Sequence, residues 1–98
     1  MKIPDKIRVA GHDYKITYRD KWLSKQELVG QCHNDKKKIY LCKYYETTRR
    51  AKSEIELTMM HELLHAVDRH YNDSRLSEKA VGHLANGLYQ VLKDNFKF

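Results

Sequence analysis

The sequence predicts an α+β fold, in which a small sheet of three to four strands packs on two helices. Apolar and polar residues alternate in the first half, as they do in strands, whereas apolar residues recur every three or four positions in the second half. With 41% hydrophobic residues and a single proline, the composition is typical of a folded protein. We expect residues 1–98 to form a single domain, because a chain this short supports one hydrophobic core.

Two hairpins account for the predicted sheet, which we expect to be antiparallel or mixed. The first joins Ile7–Ala10 to Tyr14–Tyr18 through a turn at residues 11–13, and the second joins Leu28–Cys32 to Lys38–Cys42 through a turn at 33–37. Residues 20–24, between the hairpins, fit either a loop or a short helical turn.

Two amphipathic helices are predicted after the strands. The first spans about Thr48 to Tyr71, and Ser77 is a good N-cap for the second, which ends near residues 94–95. Each helix carries one apolar stripe that we expect to be buried. The stripes are Leu57, Met60, Leu64, Val67 and Tyr71 on the first helix, and Val81, Leu84, Leu88, Val91 and Leu92 on the second.

The net charge of +6 favours acidic partners over basic ones. Because acids interrupt the basic residues, we favour an ordinary solvated surface over a nucleic-acid-binding one. No apolar stretch reaches the about 20 residues that span a bilayer, and the first residues do not resemble a signal peptide. We therefore expect a cytoplasmic protein with no membrane partner, in which Cys32 and Cys42 are free thiols rather than zinc ligands.

The most informative motif is H-E-x-x-H at residues 61–65. On a helix, His61 and His65 project from the same face one turn apart, so both imidazoles can approach one metal ion. Glu62 leaves the helix about 100° from His61, where it can hold a water molecule without being a ligand. Two histidines with a neighbouring carboxylate base are typical of zinc peptidases.

A third ligand is expected, because catalytic zinc usually takes three protein ligands. We rank Glu78 first, since the second helix must fold back beside the first and Glu78 lies near its start. Asp68, His70 and His83 are the other candidates. Asp68 is about 10 Å along the helix from His61, which suits it better to a hydrogen bond with the outer nitrogen of His65.

The two helices resemble the smallest gluzincin-type zinc metallopeptidases. The closer similarity is to phage and mobile-element proteins related to the ImmA/IrrE metallopeptidases, and it rests on residues 61–68, 76–78 and 84–95. The resemblance implies a zincin-like fold, one Zn²⁺ ion and hydrolysis of peptide bonds, with the substrate extended along an edge strand, here Lys38–Cys42. Two features depart from better-known relatives: Gly82 replaces a carboxylate, and no helix-turn-helix domain accompanies the module.

The leading hypothesis is therefore a zinc metallopeptidase that cleaves a protein substrate, with a regulator as one candidate for that substrate. Zn²⁺ on His61, His65 and Glu78 would activate water, and Glu62 would act as the general base. Tyr71, His70 and His83 are candidates for stabilising the oxyanion. The alternatives are a catalytically silent zincin-like binding module and a small basic nucleic-acid-binding protein.

Overall fold

The computed structural model describes residues 2–96, so the first residue and the last two of the predicted domain lie outside the described residues. The helices and strands follow in chain order: β1 Lys6–Val9, β2 His12–Tyr18, α1 Asp20–Lys25, β3 Gly30–His33, β4 Lys38–Leu41, β5 Tyr44–Tyr45, β6 Thr48–Arg49, α2 Lys52–Tyr71 and α3 Glu78–Asn95. The structure confirms the predicted α+β class, since it has a mixed four-stranded sheet and two long helices.

The strand order in the sheet is β1-β2-β4-β3. Both predicted hairpins form, and β2 and β4 pair in parallel between them. The expectation that Lys38–Cys42 is an edge strand is therefore wrong, because β4 has β2 on one side and β3 on the other. The chain passes from β2 through α1 to β3 before it returns to β4, so β3 is left at the edge.

The sheet is covered on both faces. On one face, Ile39 and Leu41 of β4 lie in a core with Ile55, Met59 and Ala66 of α2. On the other face, Tyr40 packs with residues of the α1 side, including the buried Leu23 and Cys42. Successive side chains of β4 point to opposite faces, so a strand covered on both sides is apolar throughout.

Helix α2 packs between the sheet and α3 and has two apolar sides. The side that faces the sheet is formed by Ile55, Met59 and Ala66, which do not belong to the predicted apolar stripe. This side is more completely buried than the stripe. Within the predicted stripe Met60 is buried, but Val67 and Tyr71 are 37% and 71% exposed, so the expected burial of the whole stripe is wrong. The predicted start at Thr48 is also wrong, because residues 48–49 pair with β5.

Helix α3 packs mainly against α2. Val81 and Ala85 are buried there, and the hydroxyl of Tyr89 donates a hydrogen bond to the buried Glu56 of α2. The predicted burial of the α3 stripe is only partly correct. Its exposed members, with the fraction of each residue that is exposed, are Leu84 (51%), Leu88 (39%) and Val91 (46%).

The turn between α2 and α3 is organised by Asp68, a buried residue that is only 5% exposed. Its carbonyl oxygen accepts hydrogen bonds from the amides of Asn72 and Ser74, at 2.9 and 3.0 Å. Its carboxylate accepts from the Asn72 side chain at 3.0 Å and from the Leu76 amide at 3.3 Å. Helix α2 ends at Tyr71, as predicted, and the turn that follows has positive φ angles at Asp73 and Ser74. Asp68 therefore stabilises the turn that sets where α3 begins.

Both cysteines are free thiols, as expected. Cys32 pairs in register with Ile39 and Cys42 lies beyond the end of β4, so the two do not face each other across the hairpin. Burial raises the pKa of Cys32 to about 12. Among residues 2–96, no helix combines the length and apolar character that a membrane span requires.

We expect Asp68→Ala to lower the free energy of unfolding by about 1–3 kcal/mol, because the Leu76 amide loses its acceptor. Urea denaturation followed by circular dichroism measures the change. Asp35→Ala is the control, since the Asp35 side chain is 92% exposed and its removal should change stability by less than about 0.5 kcal/mol. Equal stability of the two variants would contradict the role assigned to Asp68.

Candidate metal centre

His61 and His65 lie on one face of α2, one helical turn apart, as the spacing predicts. Their ring centroids are 5.0 Å apart, and their side chains are 23% and 27% exposed. They lie at the border between the buried side of α2 and the solvent. Side chains in this position are held by packing while one edge of each ring remains accessible.

Glu78, the first residue of α3, reaches both rings. Its Oε1 lies 2.6 Å from Nε2 of His61, and its Oε2 lies 3.0 Å from Nε2 of His65. The ligand atoms of the three side chains all lie within 4.8 Å of one another. Glu78 is the sequence candidate that the structure brings to the two histidines, across 17 residues of chain.

The position of Glu78 follows from the start of α3. Ser77 caps this helix, and its Oγ accepts a hydrogen bond from the Ala80 amide at 3.1 Å. The turn before it is fixed by Asp68, so the first residue of α3 is placed beside the middle of α2. Two imidazoles and one carboxylate on converging helices are a donor set that zinc commonly takes in catalytic sites. The residues present therefore fit the ion that the resemblance implies.

Glu62 lies under β3 and is only 8% exposed. A Cβ atom built on Gly30 would lie 2.5 Å from Cγ2 of Thr58 and 3.1 Å from Oε2 of Glu62. The edge strand can therefore approach α2 this closely only with glycine at position 30. Burial, followed by the negative charge of Glu78, raises the pKa of Glu62 to about 8.

A cleft of about 540 Å³ opens beside these residues. Its walls come from the segment that leads into β3, from the β5 strand, and from the facing sides of α2 and α3. Its lining residues include Glu27, Gly30, Tyr45, Thr58, Glu62 and Asn86. The first residue of the edge strand β3, Gly30, borders the cleft. An extended chain that adds to this side of the sheet would pair with residues 30–33 and not with residues 38–42.

The other predicted candidates lie elsewhere. Nε2 of His70 is 2.7 Å from the hydroxyl of Tyr14, and the His70 ring stacks on His12. His83 and Tyr71 are exposed and do not line the cleft. Asp68 binds the turn rather than His65 in the contacts of residues 2–96. Asp68, His70 and His83 are therefore not part of the group that His61, His65 and Glu78 form among residues 2–96.

Tyr45 and Asn86 are among the polar side chains that line the cleft and that the sequence did not predict. Tyr45 belongs to a hairpin of two-residue strands, which is too short to produce an alternating pattern. Asn86 lies one turn beyond Gly82 on α3. Gly82 faces His61, since a Cβ atom added to this glycine would lie 3.8 Å from Cε1 of the ring. The spacing from Glu78 to Asn86, two helical turns, is the signal that could have identified Asn86.

No family model, curated protein or solved structure matches this chain.

We expect Gly30→Ala to lower the free energy of unfolding by about 1–3 kcal/mol, because the added methyl group meets Thr58 and Glu62. Gly87→Ala is the matched control. Nothing lies within 4 Å of the added methyl group there, and replacing a helical glycine should raise stability by up to about 1 kcal/mol. Urea denaturation of both variants tests the close approach of β3, and two stabilised variants would contradict it.

The stability of the metal-free protein should depend on the protonation of Glu62. Its pKa is about 8 in the folded chain and 4.5 as its ordinary value, so the folded state binds the extra proton between these pH values. Stability should therefore fall as pH rises from about 4.5 to about 8.

Glu62→Gln should flatten this fall, because the amide does not titrate. Unfolding in urea with chelator present, at several pH values, measures the difference from the unsubstituted protein. Glu46→Gln, at an exposed position, controls for the loss of one carboxylate. Parallel pH profiles for Glu62→Gln and the unsubstituted protein would contradict the assignment.

Proposed function

We propose that this protein is a zinc-dependent metallopeptidase of the HExxH type with a zincin-like, gluzincin-type site. The observation that carries the proposal is the approach of both Glu78 carboxylate oxygens to Nε2 of His61 and His65. The motif on α2 supplies two of the three groups, and a residue from a separate helix completes the donor set that catalytic zinc takes. A buried carboxylate, Glu62, accompanies them.

His61, His65 and Glu78 would hold the ion. Bound Zn²⁺ supplies Lewis acidity, which lowers the pKa of water and polarises a carbonyl group, and a positive charge that favours the ionised form of Glu62. Glu78 is 72% exposed and His61 and His65 are less than one third exposed, so the open side of the site faces the cleft and the solvent. This arrangement leaves room for a substrate.

Glu62 is the proposed general base. Its carboxylate would accept a proton from the attacking water as the new carbon–oxygen bond forms, and would return that proton to the amine when the carbon–nitrogen bond breaks. The close approach of β3 at Gly30 limits the space in which the Glu62 side chain can move. Tyr45 and Asn86 line the same cleft and replace Tyr71, His70 and His83 as the candidates for stabilising the oxyanion.

A peptide is the proposed substrate class. It is supported by the resemblance and by the position of β3, whose outer edge has no neighbour in the sheet of residues 2–96 and whose first residue, Gly30, lines the cleft. An extended peptide can add to such an edge through backbone hydrogen bonds, which do not depend on its sequence. Sequence preference must then come from side-chain pockets, and Glu27 at the mouth of the cleft favours basic substrate residues.

We expect the purified protein to bind one zinc ion, and both His61→Ala and Glu78→Ala to weaken zinc binding by about tenfold or more. Calorimetric titration with Zn²⁺, after removal of metal by a chelator, measures the affinity. His83→Ala is the matched control, because it removes an exposed histidine from α3 without touching the cluster. Equal zinc affinity of Glu78→Ala and His83→Ala would exclude Glu78 as a ligand.

We expect Glu62→Gln to keep its zinc and to lose peptide hydrolysis by about 100-fold or more, since the amide cannot accept the proton. The assay incubates zinc-loaded protein with a library of peptides and counts new N-termini by mass spectrometry. Glu46→Gln is the control for charge. Full activity of Glu62→Gln would refute the mechanism, and zinc binding without hydrolysis by the unsubstituted protein would favour the silent binding module.

A further inference from the structure

A second pocket lies apart from the candidate metal centre, at the end of the molecule where α2 begins. It has a volume of about 310 Å³, and four cationic side chains line it: Lys2, Lys43, Arg49 and Lys52. We call it the basic pocket. Its remaining walls are Tyr18 and the apolar side chains of Ile3 and Ile55, so none of its lining residues is acidic.

The four cations have no carboxylate partner among residues 2–96. Most other basic side chains of residues 2–96 also lack such a partner, the exceptions being Lys6, Arg8, Arg69 and Arg75. The distinguishing feature of these four cations is that they line one pocket without an acidic residue. Four positive charges around one concave surface repel one another, and the repulsion is relieved when an anion binds between them. The first residue of α2 is Lys52, so the positive end of the helix dipole adds to the same field.

Tyrosine rings hold two of these cations in place. Nζ of Lys43 lies 4.2 Å from the ring centroid of Tyr18, and Cζ of Arg49 lies 5.2 Å from that of Tyr44. Such contacts contribute about 0.5–1 kcal/mol at exposed sites and restrict long, flexible side chains. Less conformational entropy is then lost when an anion binds. The two rings are themselves 37% and 44% exposed, so aromatic surface lies beside the positive charge.

Tyr18 adds a hydrogen-bond donor to the basic pocket. Burial raises the pKa of its hydroxyl, Asp5 acts in the same direction, and Arg49 opposes them. The hydroxyl therefore keeps its proton at neutral pH and can donate to an anionic oxygen. An arginine, three lysines and a hydroxyl are the groups that commonly bind phosphate oxygens in proteins.

We propose that the basic pocket binds the phosphodiester backbone of a single-stranded nucleic acid, with its bases against the exposed tyrosine rings. Positive grooves with adjacent aromatic side chains are the usual means of binding single strands without sequence preference. An acidic peptide would use the charges but would have no need of the rings. The net charge of +6 adds long-range attraction to a polyanion. The basic pocket shares no lining residue with the cleft, so this binding is independent of the proposed peptidase activity.

The test measures binding of a fluorescein-labelled oligothymidylate of about twenty nucleotides to the full chain by fluorescence anisotropy, between about 50 and 200 mM salt. The double variant Lys43→Gln/Arg49→Gln removes two charges from the basic pocket. We expect it to weaken binding by about tenfold and to lower the slope of log affinity against log salt by about 1.4, which corresponds to two phosphate contacts on a single strand.

The matched control is Lys36→Gln/Arg75→Gln, which removes the same charge near the other end of α2. Both positions are exposed, and α2 is about 30 Å long. We expect the control to change affinity by less than about threefold, and chelator to leave all binding unchanged. Circular dichroism melting curves verify that every variant is folded.

Equal weakening of binding by the two double variants would overturn the proposal, because the attraction would then come from net charge alone. Absence of binding to the oligothymidylate at low salt would overturn it as well. Displacement of the oligonucleotide by polyglutamate as effectively as by unlabelled oligothymidylate would indicate an acidic-peptide site instead. Tighter binding of a duplex of equal length would contradict the single-stranded assignment.

Discussion

The candidate metal centre depends on one local constraint, the hydrogen-bonded turn between α2 and α3. Asp68 accepts hydrogen bonds from three residues of that turn with its carbonyl and carboxylate oxygens, and Ser77 then caps α3. These bonds decide at which residue α3 begins, and therefore which side chain faces the middle of α2. A shift of one residue would rotate Glu78 by about 100° away from the histidines. The buried carboxylate of Asp68 is thus a structural requirement of the site, although it touches neither histidine in the described contacts.

Much of the site could be predicted from the sequence because its parts are local. The spacing of His61 and His65 places both rings on one helix face, and the short connection to Glu78 forces the next helix to return beside them. The structure brings these three residues together. The position of Gly30 could not be predicted in the same way, because the clearance between β3 and α2 depends on packing between distant segments.

The errors in the predicted fold also arise from packing between segments that are distant in the sequence. Alternating apolar and polar residues identify a strand but not the strands that pair with it. The parallel pairing of β2 with β4 therefore has no signal in the sequence, and this pairing leaves β3 at the edge of the sheet instead of Lys38–Cys42. Helical periodicity identifies an apolar stripe but not which side of a helix is covered. In α2 the sheet covers the side of Ile55, Met59 and Ala66, and α3 covers only part of the predicted stripe. Contacts of this kind depend on tertiary arrangement and have no signature within a window of sequence.

Side chains of opposite charge type line two separate places on the surface of this chain. The cleft is lined by the acidic residues Glu27, Glu62 and Glu78 and by no lysine or arginine of residues 2–96, whereas the basic pocket is lined by lysine and arginine and by no acidic residue. The net charge of +6 therefore describes neither place. A divalent cation is attracted to the first and a polyanion to the second, and at about 0.15 M ionic strength charges more than about 8 Å apart are largely screened from each other. The β5–β6 hairpin contributes to both, since Tyr45 lines the cleft and Arg49 lines the basic pocket.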